Sequence, residues 1–191
     1  MRARFLLAFA AFMLVPAVAL AAGPEGWHLG GRDSSYVMDR DTVVTYGGKP
    51  SCRLMSIRKT DGLGTVTQDI APDEYLGKRI RFSGFVKARR VEYWAGLWMR
   101  VDGETIPHGC GGSLAFDNMQ DRPITGSSDW TRYDVVLDVA KEAKNIAFGM
   151  LLRGEGTVWL SGVTFEVVGM GVPTTGTWLR ESKPANPNFE R

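Results

Sequence analysis

Between residues 42 and 168, hydrophobic and polar positions alternate in short runs, and glycine-rich turn clusters separate the runs. The alternation predicts strands over residues 42–46, 52–58, 65–70, 79–88, 93–101, 113–118, 131–139, 145–152 and 157–168. Gly162 is expected to kink or bulge the last of them. Residues 71–76 and 140–144 are each expected to form a single helical turn. No segment after the first 21 residues reads as a long helix. Many short strands with frequent turns and 23 glycines are the pattern of an all-β sandwich or barrel.

Each central strand offers an apolar face. Ile80, Phe82 and Val86 alternate with Arg79, Arg81 and Lys87. Tyr133, Val135, Leu137 and Val139 form a second stripe, and Ile146, Phe148, Met150 and Leu152 a third. Residues 91–102 separate most cleanly. Val91, Tyr93, Ala95, Leu97, Met99 and Val101 fall on a core-forming face, and Glu92, Trp94, Gly96, Trp98, Arg100 and Asp102 fall on the other. Two tryptophans straddling a glycine are unusual for a purely solvated face. They suit a binding platform, with Gly96, Ala147 and Gly149 leaving clearance above the sheet for a groove. If that face turns inward, the same residues become a second core.

The first residues add a compartment. Arg2 and Arg4 precede the apolar stretch from Phe5 to Leu20, and Ala19-Leu20-Ala21 has the small-x-small pattern of a signal-peptidase site. Residues 1–21 therefore read as a cleaved signal peptide, residues 22–172 as one β-sandwich domain, and residues 173–191 as an extended tail or linker. The expected location is periplasmic or secreted, with no membrane-spanning segment in the mature chain. The chain has 23 basic residues, of which Arg2 and Arg4 leave with the signal, against 21 acidic ones. A mature domain of zero net charge argues against nucleic acid as a partner, because such binding depends on neutralising phosphates. In an exported chain, Cys52 and Cys110 most simply form one disulfide. Closing a loop of about 58 residues would contribute roughly 4 kcal/mol before strain.

Residues 113–130 hold the second dense cluster of candidate chemistry. A strand leads into a loop carrying Asp117, Asn118, Asp121, Arg122 and Asp129, closed by Trp130. Carboxylates and amides match sugar hydroxyls, and tryptophan faces pack on the C–H face of a pyranose. Trp94, Trp98, Arg100, Asp117, Asn118, Arg122 and Trp130 are thus the candidate ligand-binding residues. The alternative assigns Arg122 to pinning the loop through Asp117 or Asp121, and Trp130 to capping the core. No nucleophile elbow, phosphate loop or His-Glu-x-x-His motif is present. A glycoside hydrolase would need two opposed carboxylates, and Asp117 with Asp121 is the pair the loop offers. No motif calls for a cofactor. A structural calcium would find ligands of the right type in Asp39 and Asp41.

The order of motifs also resembles a family. Gly64-Thr65-Val66-Thr67-Gln68, Trp94–Gly103, Leu114-Ala115-Phe116-Asp117-Asn118-Met119 with Arg122-Pro123-Ile124, Asp129-Trp130 and Gly156-Thr157-Val158-Trp159 occur in sequence. Together they resemble small bacterial proteins labelled AraC-type transcriptional regulators, whose corresponding stretch looks like a galactose-binding-like jelly roll. The layout is also similar to carbohydrate-binding modules of that fold. The resemblance implies a two-sheet antiparallel β-sandwich with its ligand site on a concave face or at a loop end. The regulator label implies a helix-turn-helix, for which no pair of amphipathic helices is present. The reading that follows is an exported, non-catalytic domain that binds a glycan or another small polar ligand. The alternative is an envelope structural or protein-interaction domain.

Overall fold

The computed structural model describes residues 23–31, 33–104 and 112–176. Nine strands form: β1 (His28–Gly30), β2 (Tyr36–Tyr46), β3 (Lys49–Ser56), β4 (Leu63–Ile70), β5 (Arg79–Asp102), β6 (Ser113–Asp117), β7 (Ile124–Asp138), β8 (Asn145–Arg153) and β9 (Thr157–Val168). The order across the sheet is β1-β4-β8-β5-β9-β3-β2, with β6 and β7 also pairing to β5. Every pair is antiparallel, and the sheet curls into a β-sandwich of the jelly-roll type. Among the described residues, no helix is long and apolar enough to cross a membrane.

The curl comes from β5. Its first half, from Arg79 to Arg89, pairs with β9, and its second half, from Trp94 to Asp102, pairs with β8. One strand therefore serves both layers. The two segments expected as separate strands, 79–88 and 93–101, are continuous, and Arg89 and Arg90 lie at the junction. Arg90 has a φ of 54°, which a non-glycine residue adopts only at a sharp bend. The register against β7 shifts between Val86 and Ala88, between Ala88 and Val91, and between Val91 and Ala95. Extra residues of this kind bend a strand and strengthen its twist. Gly162 (φ 60°) sits opposite the register shift between Ser83 and Phe85, the irregularity expected of it.

The core lies between the layers. Ile80, Phe82 and Val86 meet Leu97, Met99, Val101, Ile146, Met150 and Leu152, all fully enclosed. Phe148 is the hub: its ring lies 5.0 Å from Phe82, 5.0 Å from Phe165 and 5.8 Å from Trp27. Alternation located the inward stripes, although β8 is buried on both faces, with Ala147 and Leu151 enclosed as well as Ile146, Met150 and Leu152. It located β2 less well. β2 begins at Tyr36, and its early half buries Asp39, whose carboxylate accepts from Arg53 across the ladder at 2.9 and 2.5 Å. A paired ion inside a strand breaks the apolar signal without breaking the strand. The expected helical turn at 71–76 appears as a 3-10 turn, Asp73–Tyr75, whereas residues 140–144 form a plain turn. After β9 the chain folds back on the sandwich, where the Thr175 N–H donates to the Val136 carbonyl at 2.9 Å.

Cys52 is a buried, unbridged thiol on β3 among the described residues, and its expected partner Cys110 lies outside them. Burial, helped by the Asp39 charge, pushes the thiol pKa up to about 12. Reactivity follows the thiolate. Cys52 should therefore resist a disulfide-exchange reagent at pH 8 in the native protein and react promptly in denaturant. Native-state labelling would contradict the burial. Failure to label in denaturant without reductant would reveal a bridge.

Candidate functional site

The outer face of β5 does not form an open platform. Trp98 is only 8% exposed and packs with Ala147 and Leu151 in a small cluster separate from the main core, against which Trp94 and Phe116 lean. The register explains the grouping, since Gly96 lies opposite Leu151, Trp98 opposite Gly149, and Arg100 opposite Ala147. The Trp98 indole N–H has no hydrogen-bond partner among the described residues. The small residues expected to open a groove serve close packing instead. A Cβ at Gly96 would come 2.9 Å from Met119 Cβ, and one at Gly149 would overlap the Val66 carbonyl. Arg100 is exposed and paired with Asp102 at 2.7 Å.

Asp117 and Arg122 take the structural role left open above. The Asp117 side chain is 1% exposed and accepts from Arg122 Nη2 (2.5 Å), the Met119 N–H (2.9 Å) and Thr175 Oγ1 (2.5 Å). Arg122 also holds Asp121 at 2.8 Å and reaches the Asp134 carbonyl at 3.3 Å. One guanidinium thus engages both carboxylates of the suggested hydrolytic pair. Asn118 shapes the same loop, its Oδ1 accepting from the Gln120 N–H at 3.2 Å.

Trp130 lies on the other layer, apart from Trp94. Its ring is 5.5 Å from Tyr46, which stacks on Phe85 at 4.0 Å. Nearby, Asp41 accepts from the Val43 and Val44 N–H groups and from the Trp159 indole at 2.8 Å. Burial raises the Asp41 pKa, but these donors and Arg53 outweigh it and hold the carboxyl below its ordinary value of 3.8. Asp39 and Asp41 therefore have their oxygens engaged by protein donors. No group of three or more metal-ligating side chains gathers among the described residues.

Of the expected residues, Trp94 lines a cleft. Asp61, Tyr93, Trp94, Gln120 and Arg153 enclose about 390 Å³ at the loop end of the sandwich. That volume falls within the range of small-molecule sites, roughly 300–1,000 Å³. Asp61 comes from the loop between β3 and β4, and Gln120 from the loop between β6 and β7. Arg153 ends β8 and sits opposite Trp94 in the ladder. Tyr93 is 49% exposed, although alternation assigned it to the core face, because the register shift between Val91 and Ala95 carries it out of the inward stripe. Its ring covers Gly154 so closely that a Cβ there would stand 2.5 Å away, and Gly154 has a φ of +76°. The framing loops are tied together from below. The Gly154 N–H donates to the Gly62 carbonyl at 3.0 Å, and the Tyr36 hydroxyl lies 2.7 Å from that carbonyl and 3.0 Å from the Gly154 carbonyl. Burial pushes the Tyr36 phenol up, which keeps it protonated as a donor to these carbonyls.

The cleft offers two aromatic surfaces, a carboxylate acceptor, an amide and a guanidinium donor. These are the elements that hold a polyhydroxylated ring by C–H packing and paired hydrogen bonds. Asp61, Gln120 and Arg153 carry no motif. Asp61 and Arg153 precede the turn glycines Gly62 and Gly154, and nothing in the pattern sets Gln120 apart.

No protein-family model matches the chain. It is 40% identical over 174 residues to a Bacillus subtilis (strain 168) protein named an uncharacterised HTH-type transcriptional regulator, YbfP. The match covers 87% of this chain and 57% of that protein, so the chain spans less than three fifths of its relative's length. The relative's name is compatible with the regulator resemblance of the motifs. Among solved structures, a family 30 carbohydrate-binding module superposes with a TM-score of 0.55 at 15% identity, covering 78% of this chain and 96% of the module. The CBM22-1 xylan-binding domain of Paenibacillus barcinonensis Xyn10C gives 0.53 at 14% identity, covering 76% and 88%. The enzymatically active domain of bacteriophage CBA120 tailspike protein 4 gives 0.54 at 15% identity, covering 75% of this chain and 20% of that one.

Arg122→Ala should lower unfolding free energy by about 3 kcal/mol or more, because it leaves Asp117 buried without its charge partner. Urea denaturation measures this. A variant of unchanged stability would contradict the loop-pinning role. The fold these comparisons establish is that of the carbohydrate-binding-module β-sandwiches.

Proposed function

We propose that this domain binds a glycan non-covalently, in the cleft formed by Asp61, Tyr93, Trp94, Gln120 and Arg153. One observation carries the reading: two partly exposed aromatic rings and three polar side chains from separate loops converge on one cavity of about 390 Å³. The β-sandwich shared with carbohydrate-binding modules supports the ligand class. The Arg122 bridge between Asp117 and Asp121 supports a loop-holding role for this pair rather than a hydrolytic one. The signal-like residues 1–21 support work in the periplasm or outside the cell.

The Bacillus subtilis relative supports a second reading, in which the sandwich is the ligand-sensing portion of a larger regulator. No α-helix occurs among the described residues, so a helix-turn-helix would belong to sequence beyond this sandwich. The two readings share the cleft and differ in what the ligand controls. A protein-interaction domain would instead use Tyr93 and Trp94 as interface anchors.

Titration calorimetry of neutral oligosaccharides against the wild type and Trp94→Ala tests the proposal. The variant should bind at least tenfold more weakly, equivalent to about 1.4 kcal/mol. Its melting temperature should stay close to wild type, since Trp94 only leans on the small cluster. Binding unchanged in Trp94→Ala would overturn the cleft as the site.

A further inference from the structure

Around the corner from the aromatic cleft, β5 presents a second cavity of different chemistry. Ser56, Arg89, Arg90, Glu155, Gly156 and Thr157 enclose about 450 Å³. Most arginines of the sandwich already have partners: Arg53, Arg79, Arg81, Arg100, Arg122 and Arg132 each hold a carboxylate within 4.0 Å. Arg89 and Arg90 have none within that distance among the described residues, yet both line the cavity and both are exposed.

The Arg89 side chain and the Arg90 backbone are nevertheless held in place. The Arg89 guanidinium lies 5.3 Å over the Trp159 ring, and Trp159 is in turn anchored to Asp41 at 2.8 Å. Stacking of this kind orients the planar fork. Arg89 is registered opposite Thr157, which brings that residue to the same patch. Arg90 is held in its left-handed conformation by a hydrogen bond from its N–H to Ser127 Oγ at 2.9 Å. Backbone strain of this kind persists where the surroundings over-determine it. The oriented Arg89 guanidinium, with the Arg90 side chain, a serine and a threonine lining the same cavity, matches an oxyanion, which arginine forks bind bidentately.

The two cavities flank one turn. Arg153 faces the aromatic cleft, while Glu155, Gly156 and Thr157 face the arginine cavity. Arg89 and Trp94 are five positions apart on one strand, at most about 17 Å. We propose that the ligand is an acidic oligosaccharide, with a sugar ring on Tyr93 and Trp94 and a carboxylate or sulfate group between Arg89 and Arg90. The choice of a sugar rests on the glycan reading above; the anion site rests on the arginine cavity alone. Glu155, the acidic member of the lining, opposes the anion and limits its affinity.

The test uses the whole mature chain and four probes: inorganic sulfate, a tetragalacturonate, a heparin-derived tetrasaccharide and neutral xylohexaose. The variants are Arg89→Gln, Arg90→Asn, Glu155→Gln and Trp94→Ala. Asparagine tolerates the left-handed backbone at position 90. At least one acidic oligosaccharide should bind tenfold or more tightly than xylohexaose, and which one does so separates carboxylate from sulfate. Arg89→Gln and Arg90→Asn should abolish that preference and spare xylohexaose binding, and Glu155→Gln should strengthen it. Sulfate should raise the melting temperature of the wild type, by preferential binding to the native state, and not that of the arginine variants. Equal affinity for acidic and neutral probes, or a preference that survives both arginine variants, overturns the proposal and leaves the glycan reading intact. A sulfate effect dependent on the arginines, with no oligosaccharide bound, supports the anion site and overturns a glycan as its carrier.

Discussion

The structure depends on the continuous pairing of β5 through a bend. Its residues from Arg79 to Asp102 hydrogen-bond with β6, β7, β8 and β9. In the first half the inward side chains are Ile80, Phe82, Val86 and Ala88; in the second they are Val91, Ala95, Leu97, Met99 and Val101. The inward set steps from an even to an odd phase between Ala88 and Val91. That three-residue step lets one strand contribute to the core from both layers. It also leaves Arg89, Arg90 and Tyr93 at a corner where no facing sheet can bury them.

Polar residues elsewhere are largely committed to the fold. Asp39 with Arg53, Asp41 with Trp159, and Asp117 with Arg122 each place a carboxylate inside the sandwich and satisfy it there. A buried charge is costly unless paired, so these residues hold their loops and strands in one arrangement. The aromatic residues divide in the same way. Trp98 and Trp159 are enclosed, while Tyr93 and Trp94 keep surface at the corner. Tyr93, Trp94, Arg89 and Arg90 keep their surface where β5 turns between layers and the β8–β9 turn passes beside it.

Much of the fold was legible as hydrophobic alternation. The inward residues of both phases of β5 were legible, because apart from Tyr93 each phase obeys a period of two within itself. That the chain stays paired between them was not legible, since a bulged bend carries no hydrophobic signature. β2 was read short because the Asp39–Arg53 pair replaces apolar contact with an ion pair. The site was less legible. Trp94 stood out as an aromatic on a polar face, but Trp98 shares that face and is buried by its neighbours Leu151 and Ala147 across the strand. Asp61, Gln120 and Arg153 converge only through loop closure, and no spacing in the chain encodes that meeting. Arg89 and Arg90 carry no signal in the hydrophobic pattern, and the Trp159 ring under Arg89 appears only in the fold.

The proposed ligand site is the β5 corner rather than either broad sheet face. Amide chemical-shift mapping during titration with a glycan separates the two. Shifts are expected only at residues near Asp61, Arg89–Trp94, Gln120 and Arg153–Thr157, with the amides of the Tyr46, Phe85 and Trp130 patch unmoved. Shifts centred on that aromatic patch of the opposite layer, with the corner silent, would contradict it.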